Sequence, residues 1–101
     1  MKKTNRQKEI FRKIAAERAR QEEKHGENSL IKHDSLGFIN YAILGEEVGE
    51  VGRALLDCHL ERKFPAQRKF PETAKDHLEE EIVQVAAVCV AWLEALEGDE
   101  K

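Results

Sequence analysis

The sequence predicts an all-α fold, a bundle of three long helices in a single domain that spans residues 1–101. Three stretches carry apolar residues at helical spacing, and no stretch alternates apolar and polar residues between hairpin turns as strands do. Charged residues make up 37% and apolar residues 41%, with two prolines and six glycines. This composition is typical of a helical domain and excludes collagen-like, low-complexity and wholly disordered chains.

The first helix has a capping signal at its start. Thr4 and Gln7 have the spacing of a capping box, which predicts a helix from Asn5 to about Lys24. Gly26 is the expected stop, because glycine favours the position after a helix end. The apolar stripe of this helix is narrow and consists of Ile10, Phe11, Ile14, Ala15 and Ala19.

The second helix is predicted from Ser35 to about His59, with Asp34 or Ser35 as its N-cap. After it, RKFP occurs twice, at Arg62–Pro65 and Arg68–Pro71. Proline disfavours helix in the residue before it, so this stretch predicts a linker, with or without a short extra helix between residues 60 and 70. Two phenylalanines of the linker are expected to dock on the bundle, although a mobile basic loop over an anionic site is the alternative. They are Phe64 and Phe70.

The third helix is predicted to begin at Pro71 or Glu72, since proline favours the first turn. It should end near Glu97, with Gly98 after it. Between Val85 and Leu93 it is apolar almost all round, and such a helix must be buried on every side. One narrow and one mixed helix cannot cover it. We therefore expect further copies of the chain to complete the bundle as a homo-oligomer, a dimer or a tetramer.

The formal net charge of −3 conceals an asymmetry. Residues 1–24 contain nine Lys and Arg against four Glu, whereas residues 76–101 contain one Lys against eight Asp and Glu. The two segments are expected to form solvated helix faces that pair with each other. A basic arm that meets an anionic ligand is the alternative. Bulk charge gives no reason to expect a nucleic-acid partner.

Several features indicate a cytoplasmic protein without a membrane partner. The longest apolar run has nine residues, too few to span a bilayer, and no apolar stretch follows the basic N-terminus as in a secretion signal. Cys58 and Cys89 lack the spacing of metal ligands, and no disulfide between them is expected. Cys89 lies inside the apolar run, where a small core residue is expected. Reduced cysteines suit the cytoplasm.

Acidic residues and glycines are concentrated in the second helix, in the segment GEEVGEVG at Gly45–Gly52. Glu47 and Glu50 are three apart and Glu46 and Glu50 are four apart, so these carboxylates repel one another along one side of the helix. Three glycines in the segment cost about 1 kcal/mol each relative to alanine. Bound Mg²⁺ would compensate the repulsion, because it prefers oxygen ligands. An exposed acidic stripe, with glycines for close helix packing, is the alternative.

The third helix offers a partner for these carboxylates. Glu81 and Gln84 are three apart and share a face. Carboxylates that converge from facing helices are a known way to build a metal site in a bundle. Gln84 precedes the apolar run, so its amide either forms a hydrogen bond across the bundle or contacts a metal ion or a nucleotide.

At these residues the chain resembles the MazG-like nucleotide pyrophosphohydrolases, whose pattern is E-E-x-x-E on one helix and E-x-x-D on a later one. Glu46–Glu50 matches the first half, and Glu81–Gln84 matches the second with glutamine in place of aspartate. AERARQEEKHGEN, residues 16–28, is similar to the segment before the metal helix in small phage and bacterial members. Residues 78–96 are similar to a subgroup with glutamine at that position. The resemblance covers roughly residues 10–97.

The resemblance implies a dimeric or tetrameric all-α enzyme that hydrolyses nucleoside triphosphates between the α- and β-phosphates. Carried over, Glu47, Glu50 and Glu81 become ligands of Mg²⁺, or of Mn²⁺ in its place, and Gln84 takes the fourth ligand position. The catalytic candidates are Glu46 and Glu47, with Glu46 orienting a ligand or activating water. The neutral amide of Gln84 should lower metal affinity. The alternative is a non-catalytic helical module that binds a nucleotide or a protein.

Candidates for substrate contacts are charged or aromatic. The cations that could meet the triphosphate, each equally explained as a solvated surface charge, are Arg20, Lys24, Lys32 and Lys75. The aromatic residues that could stack on a base, although a core position is their commoner role, are Phe38, Tyr41 and Trp92. Asn28 could form a hydrogen bond with the nucleotide. His25 and His33 are predicted in the loop between the first two helices.

Overall fold

A computed structural model describes residues 4–25, 36–64 and 74–99. They form three helices, α1 (Asn5–His25), α2 (Phe38–Lys63) and α3 (Ala74–Asp99), and these ranges contain no strand. Helix α3 contacts both other helices, whereas α1 and α2 do not contact each other within these ranges. The prediction of an all-α bundle with three long helices is confirmed.

Helix α1 begins where the capping box places it. The backbone N–H of Thr4 donates to Oε1 of Gln7 at 2.9 Å, and the backbone N–H of Gln7 donates to Oγ1 of Thr4 at 3.1 Å. These reciprocal bonds satisfy backbone donors that a helix start leaves without partners. The helix runs to His25, and the predicted stop at Gly26 lies outside the described residues.

The predicted bounds of α2 are wrong at both ends. The helix begins at Phe38 after Gly37, whose extended backbone forms the N-cap without a side-chain hydrogen bond. Asp34 and Ser35, the predicted caps, lie outside the described residues. At the other end the helix continues four residues past His59, because no glycine or proline interrupts the chain before residue 65.

The start of the linker therefore belongs to α2. The backbone N–H of Phe64 donates to the carbonyl oxygen of Leu60 at 2.7 Å and closes the last turn. The side chain of Phe64 is half exposed, and its docking on the bundle stays a prediction. Phe70 and the rest of the possible extra helix, residues 65–70, lie outside the described part of the chain.

Helix α3 is also longer than predicted at its C-terminal end. Gly98 was expected after the helix but lies within it, in an ordinary helical conformation rather than the left-handed one of a helix stop. At the other end, the backbone N–H of Ala74 donates to Oε2 of Glu61 on α2 at 3.1 Å. The predicted start at Pro71 or Glu72 lies outside the described residues.

The core of the described chain consists of small side chains. The buried apolar residues are Ala54, Ala87, Val88 and Ala91. Small residues let α1 and α2 approach α3 closely but remove little apolar area from water. A single chain does not bury residues 85–93 on every side, because Leu93 is 61% exposed and Val90 is partly exposed. The predicted cover from further copies of the chain stays a prediction. Cys89 is half-buried rather than a core residue.

Ion pairs join the basic first helix to the acidic third, as the charge asymmetry predicts. Nζ of Lys13 lies 2.9 Å from Oε1 of Glu79, and Nε of Arg18 lies 2.6 Å from Oε1 of Glu94. Arg18 also contacts Oε2 of Glu22 at 3.0 Å, and its side chain is only 17% exposed. This arginine is therefore the best-buried cation in the contact between α1 and α3.

We expect Arg18→Ala to lower the free energy of unfolding by about 1–3 kcal/mol, because it removes charge-assisted hydrogen bonds and a buried aliphatic stem. The matched control is Arg12→Ala, which removes an exposed pair with Glu9 in the same helix. The control should leave the free energy of unfolding nearly unchanged, because solvent screens an exposed ion pair. Urea titration measures both, and equal losses would contradict the bracing role of Arg18.

None of the helices in the described ranges is long and apolar enough to cross a membrane. Cys58 and Cys89 are both free, as the sequence predicts.

Candidate functional site

Two carboxylates meet between α2 and α3. Glu81 of α3 is only 8% exposed, and Glu47 of α2 is partly buried. In each residue the Oε2 atom is buried and accepts no hydrogen bond. Buried polar atoms in proteins nearly always have a partner. Two such oxygens on facing helices are therefore candidates for binding a cation.

The charge around Glu47 is almost entirely negative. Burial raises the pKa of Glu47, and the neighbouring carboxylates Glu81, Glu50, Glu17 and Glu46 raise it further, in that order. Glutamates from all three helices therefore act on one group. A bound divalent cation would offset the repulsion among these carboxylates, because its positive charge attracts all of them.

Glu17 of α1 is a member of this cluster that the sequence did not single out. Arg20 donates to it from Nε at 2.9 Å and from Nη2 at 2.6 Å, and Gln21 donates from Nε2 at 3.3 Å. The hydrogen bonds from Arg20 hold the pKa of Glu17 below its usual range. A signal was present, because Glu17 continues the helical spacing of Ile10 and Ile14 and so places a charge on the apolar face.

Glu46 and Glu50 lie at the rim of the cluster. Glu46 is exposed, and Glu50 is half exposed with Oε1 3.9 Å from Nη1 of Arg53. In residues 4–25, 36–64 and 74–99, no group of three or more His, Cys, Asp or Glu is positioned to hold a metal ion as it stands. Coordination would require these rim glutamates to turn toward Glu47 and Glu81, which exposed side chains do readily.

Gln84 lies one helical turn after Glu81. It lines a groove of about 750 Å³ between α1 and α3, together with Glu17 and Arg20. This groove adjoins the carboxylate cluster through Glu17. Gln84 therefore shares this groove with Glu17, a member of the cluster.

His77 is a second neighbour of the cluster that the sequence did not single out. Its Nε2 atom lies 3.6 Å from Oε1 of Glu81, and its Nδ1 atom lies 4.0 Å from Oε2 of Glu80. The spacing of four residues between His77 and Glu81 on one helix was the available signal. When protonated, this imidazole would neutralise part of the charge of Glu81.

Most predicted substrate contacts do not converge on the cluster. Arg20 borders it, whereas Lys75 lines a separate groove with His59. Phe38 is 88% and Tyr41 is 67% exposed, so neither occupies the core position that is commoner for such residues. Lys24 is exposed, and its charge helps to lower the pKa of Glu17 at the edge of the cluster, whereas Trp92 is partly buried. The predicted residues outside the described part of the chain are Asn28, Lys32, His33 and the side chain of His25.

No family model, curated protein or solved structure matches this chain. The candidate site therefore depends on the geometry and charge of its own residues.

Proposed function

We propose that this protein is a Mg²⁺-dependent nucleoside triphosphate pyrophosphohydrolase, which converts an NTP or dNTP and water to the monophosphate and pyrophosphate. The observation that carries the proposal is the pair of buried Oε2 atoms of Glu47 and Glu81, which no hydrogen-bond donor meets. Carboxylate oxygens in this state suit Mg²⁺ or Mn²⁺. The substrate class comes from the resemblance to the MazG-like enzymes.

In this proposal Glu47, Glu50 and Glu81 hold the ion, and the amide oxygen of Gln84 takes the fourth position. The bound ion supplies charge neutralisation for the phosphates and a more acidic water. Glu46, which is exposed at the rim, would accept the proton of the water that attacks the α-phosphorus. The bond between that phosphorus and the bridging oxygen breaks, and pyrophosphate leaves.

Arg20 is the cation that we assign to the polyphosphate. It borders the groove beside the cluster, and its guanidinium forms two hydrogen bonds with Glu17. Guanidinium groups bind phosphate oxygens in the same forked geometry, so Arg20 could exchange one acidic partner for the other. The other predicted contacts with the substrate stay predictions.

The direct test is a product assay. Purified protein with Mg²⁺ and a panel of NTPs and dNTPs should release monophosphate and pyrophosphate in equal amounts from at least one substrate. EDTA should stop the reaction. Absence of both products across the panel would contradict the proposal, and release of inorganic phosphate and a diphosphate would contradict the assigned bond.

Gln84→Asp tests the fourth ligand position. A carboxylate there adds a charge beside the ion, so the affinity for Mg²⁺ should rise by about tenfold or more. Isothermal titration calorimetry measures the change. The control is Gln21→Glu, which adds the same charge on α1 next to Glu17. An unchanged affinity in Gln84→Asp would place residue 84 outside the metal shell.

A non-catalytic helical module is the second candidate function. It is favoured by the neutral amide of Gln84 and by the carboxylates of the described chain not being assembled for coordination. Such a module would bind a nucleotide or a protein partner through the same bundle. Calorimetry that shows NTP binding with Mg²⁺, together with no product in the assay, would support it over the enzyme.

We also propose that the protein is a cytoplasmic homo-oligomer. The support for oligomerisation is the number of large apolar side chains that remain exposed on all three helices, among them Phe11, Leu56 and Leu93. The free cysteines suit a reducing compartment.

A further inference from the structure

Helix α2 has an apolar face that points away from α3. Six exposed residues form it at alternating spacings of four and three, the spacing of a coiled-coil seam. We call them the outer stripe, and they are Phe38, Ala42, Gly45, Gly49, Gly52 and Leu56. The residues that face α3, such as Asn40 and Ala54, lie on the opposite side of the helix.

Among the described residues, nothing packs against the glycines of the outer stripe. A Cβ atom built on Gly45, Gly49 or Gly52 would meet nothing within 4 Å. Each glycine nevertheless costs a helix about 1 kcal/mol relative to alanine. The three glycines and Ala42 form a flat surface that a second helix backbone can approach closely.

We propose that the outer stripe is the contact between two copies of this chain, whose α2 helices pack antiparallel around a twofold axis near Gly49. Antiparallel pairing about this axis brings together residues whose numbers sum to about 98. The large side chain of Leu56 then lies beside Ala42 of the partner subunit. Phe38 lies beside Leu60 of the partner subunit, which is also exposed in the single chain.

The charges beside the stripe fit this direction of packing. Glu46 and Arg53 lie along one edge of the stripe, on opposite sides of Gly49, and the Arg53 side chain is 75% exposed. Antiparallel pairing sets Arg53 beside Glu46 of the partner subunit, twice per dimer. A parallel pairing would instead set this charged edge against the apolar edge that Val48 and Leu55 form.

Large apolar side chains on and beside the stripe are exposed, since Phe38 is 88%, Leu56 is 55% and Val48 is 52% exposed. A second copy of α2 packed on this face would remove them from water. A second exposed patch on α3, with Ile82 and Leu93, lacks the glycines and the paired charges.

The interface lies on the helix that carries Glu46, Glu47 and Glu50, so a partner's Arg53 would reach the rim of the carboxylate cluster. The proposal does not depend on hydrolysis. It concerns association alone, and loss of the dimer and loss of the enzyme reaction are measured separately.

Sedimentation velocity over a range of concentrations tests the proposal. Wild type should be a dimer, and Gly49→Leu should raise the dissociation constant at least about tenfold, because the new side chain holds the two backbones apart. Gly98→Leu is the matched control, since Gly98 is also an exposed helical glycine with nothing within 4 Å. Circular dichroism confirms that both variants stay helical. A monomeric wild type, or a dissociation constant that Gly49→Leu leaves unchanged, would overturn the proposal.

Two further variants test the face and the direction. Arg53→Glu and Glu46→Arg should each weaken the dimer, and the double variant should restore it, because the reversed charges again face each other. Absence of rescue would overturn the antiparallel direction. If Leu93→Glu separates the subunits and Gly49→Leu does not, the α3 patch is the interface and the proposal is wrong.

Discussion

Glu47→Gln should abolish pyrophosphate release and yet raise the stability of the metal-free protein at neutral pH. Glutamine keeps the shape of the side chain but removes a charge that burial and four neighbouring carboxylates oppose. We expect turnover to fall by at least about a hundredfold, as when a metal-site group is lost. Relief of an unfavourable buried charge should stabilise the fold by about 1 kcal/mol.

The sign of the pH dependence follows from the raised pKa of Glu47. Below the usual value of 4.5, the carboxyl is protonated in both the folded and the unfolded chain. Above 4.5 the unfolded chain releases the proton first, so the stability of the metal-free protein declines as pH rises until the folded carboxyl also ionises. The decline should be absent from Glu47→Gln.

Urea titrations in EDTA between pH 4 and pH 8 measure this difference. The control is Glu23→Gln, an exposed glutamate on α1, for which the pH dependence should match wild type. Metal binding is followed in parallel by calorimetry with Mg²⁺. Retention of Mg²⁺ affinity in Glu47→Gln, or a loss of stability at pH 7, would contradict the role assigned to Glu47.

Ala87→Leu should cost about 1–3 kcal/mol of stability, because the added carbons overpack a fully buried position. Ala87 lies on the same side of α3 as Val83 and Ala91, which line the grooves against α1. The larger side chain would push α1 away. Glu17 would move with it, so the variant should also change the affinity for Mg²⁺.

Ala86→Leu is the control, since it adds the same atoms one residue earlier, on a part of α3 that is not fully buried. Ala86→Leu should shift the urea midpoint much less than Ala87→Leu does. Equal effects at the two positions would mean that the contact between α1 and α3 is not close-packed at Ala87.

The sequence predicted the parts of this fold that local chemistry determines. The capping box at Thr4 fixes the start of α1 because both of its partners lie within one turn. The helix ends at residues 63 and 99 were missed because no stop signal marks the end of α2, and because Gly98 does not force a chain out of the helical conformation.

The candidate site divides in the same way. The spacing of the glutamates predicted that Glu47 and Glu50 lie on one helix and Glu81 on another. In the structure Glu81 is close enough to raise the pKa of Glu47. Glu17 was missed because its proximity to Glu47 depends on how α1 and α2 both pack on α3, which no local pattern encodes. The exposure of Leu93 depends likewise on which surfaces one chain leaves uncovered.

Within the described ranges α1 contacts α3 and no other helix, and two ion pairs, Lys13 with Glu79 and Arg18 with Glu94, join the two helices. We expect an element held in this way to open locally with less free energy than global unfolding requires. Salt screens its ion pairs, so α1 should detach more often as ionic strength rises. Each detachment carries Glu17 away from Glu47 and removes one of the charges that raise the pKa of Glu47. The pKa of Glu47 should therefore respond to local opening of α1 as well as to ligand binding.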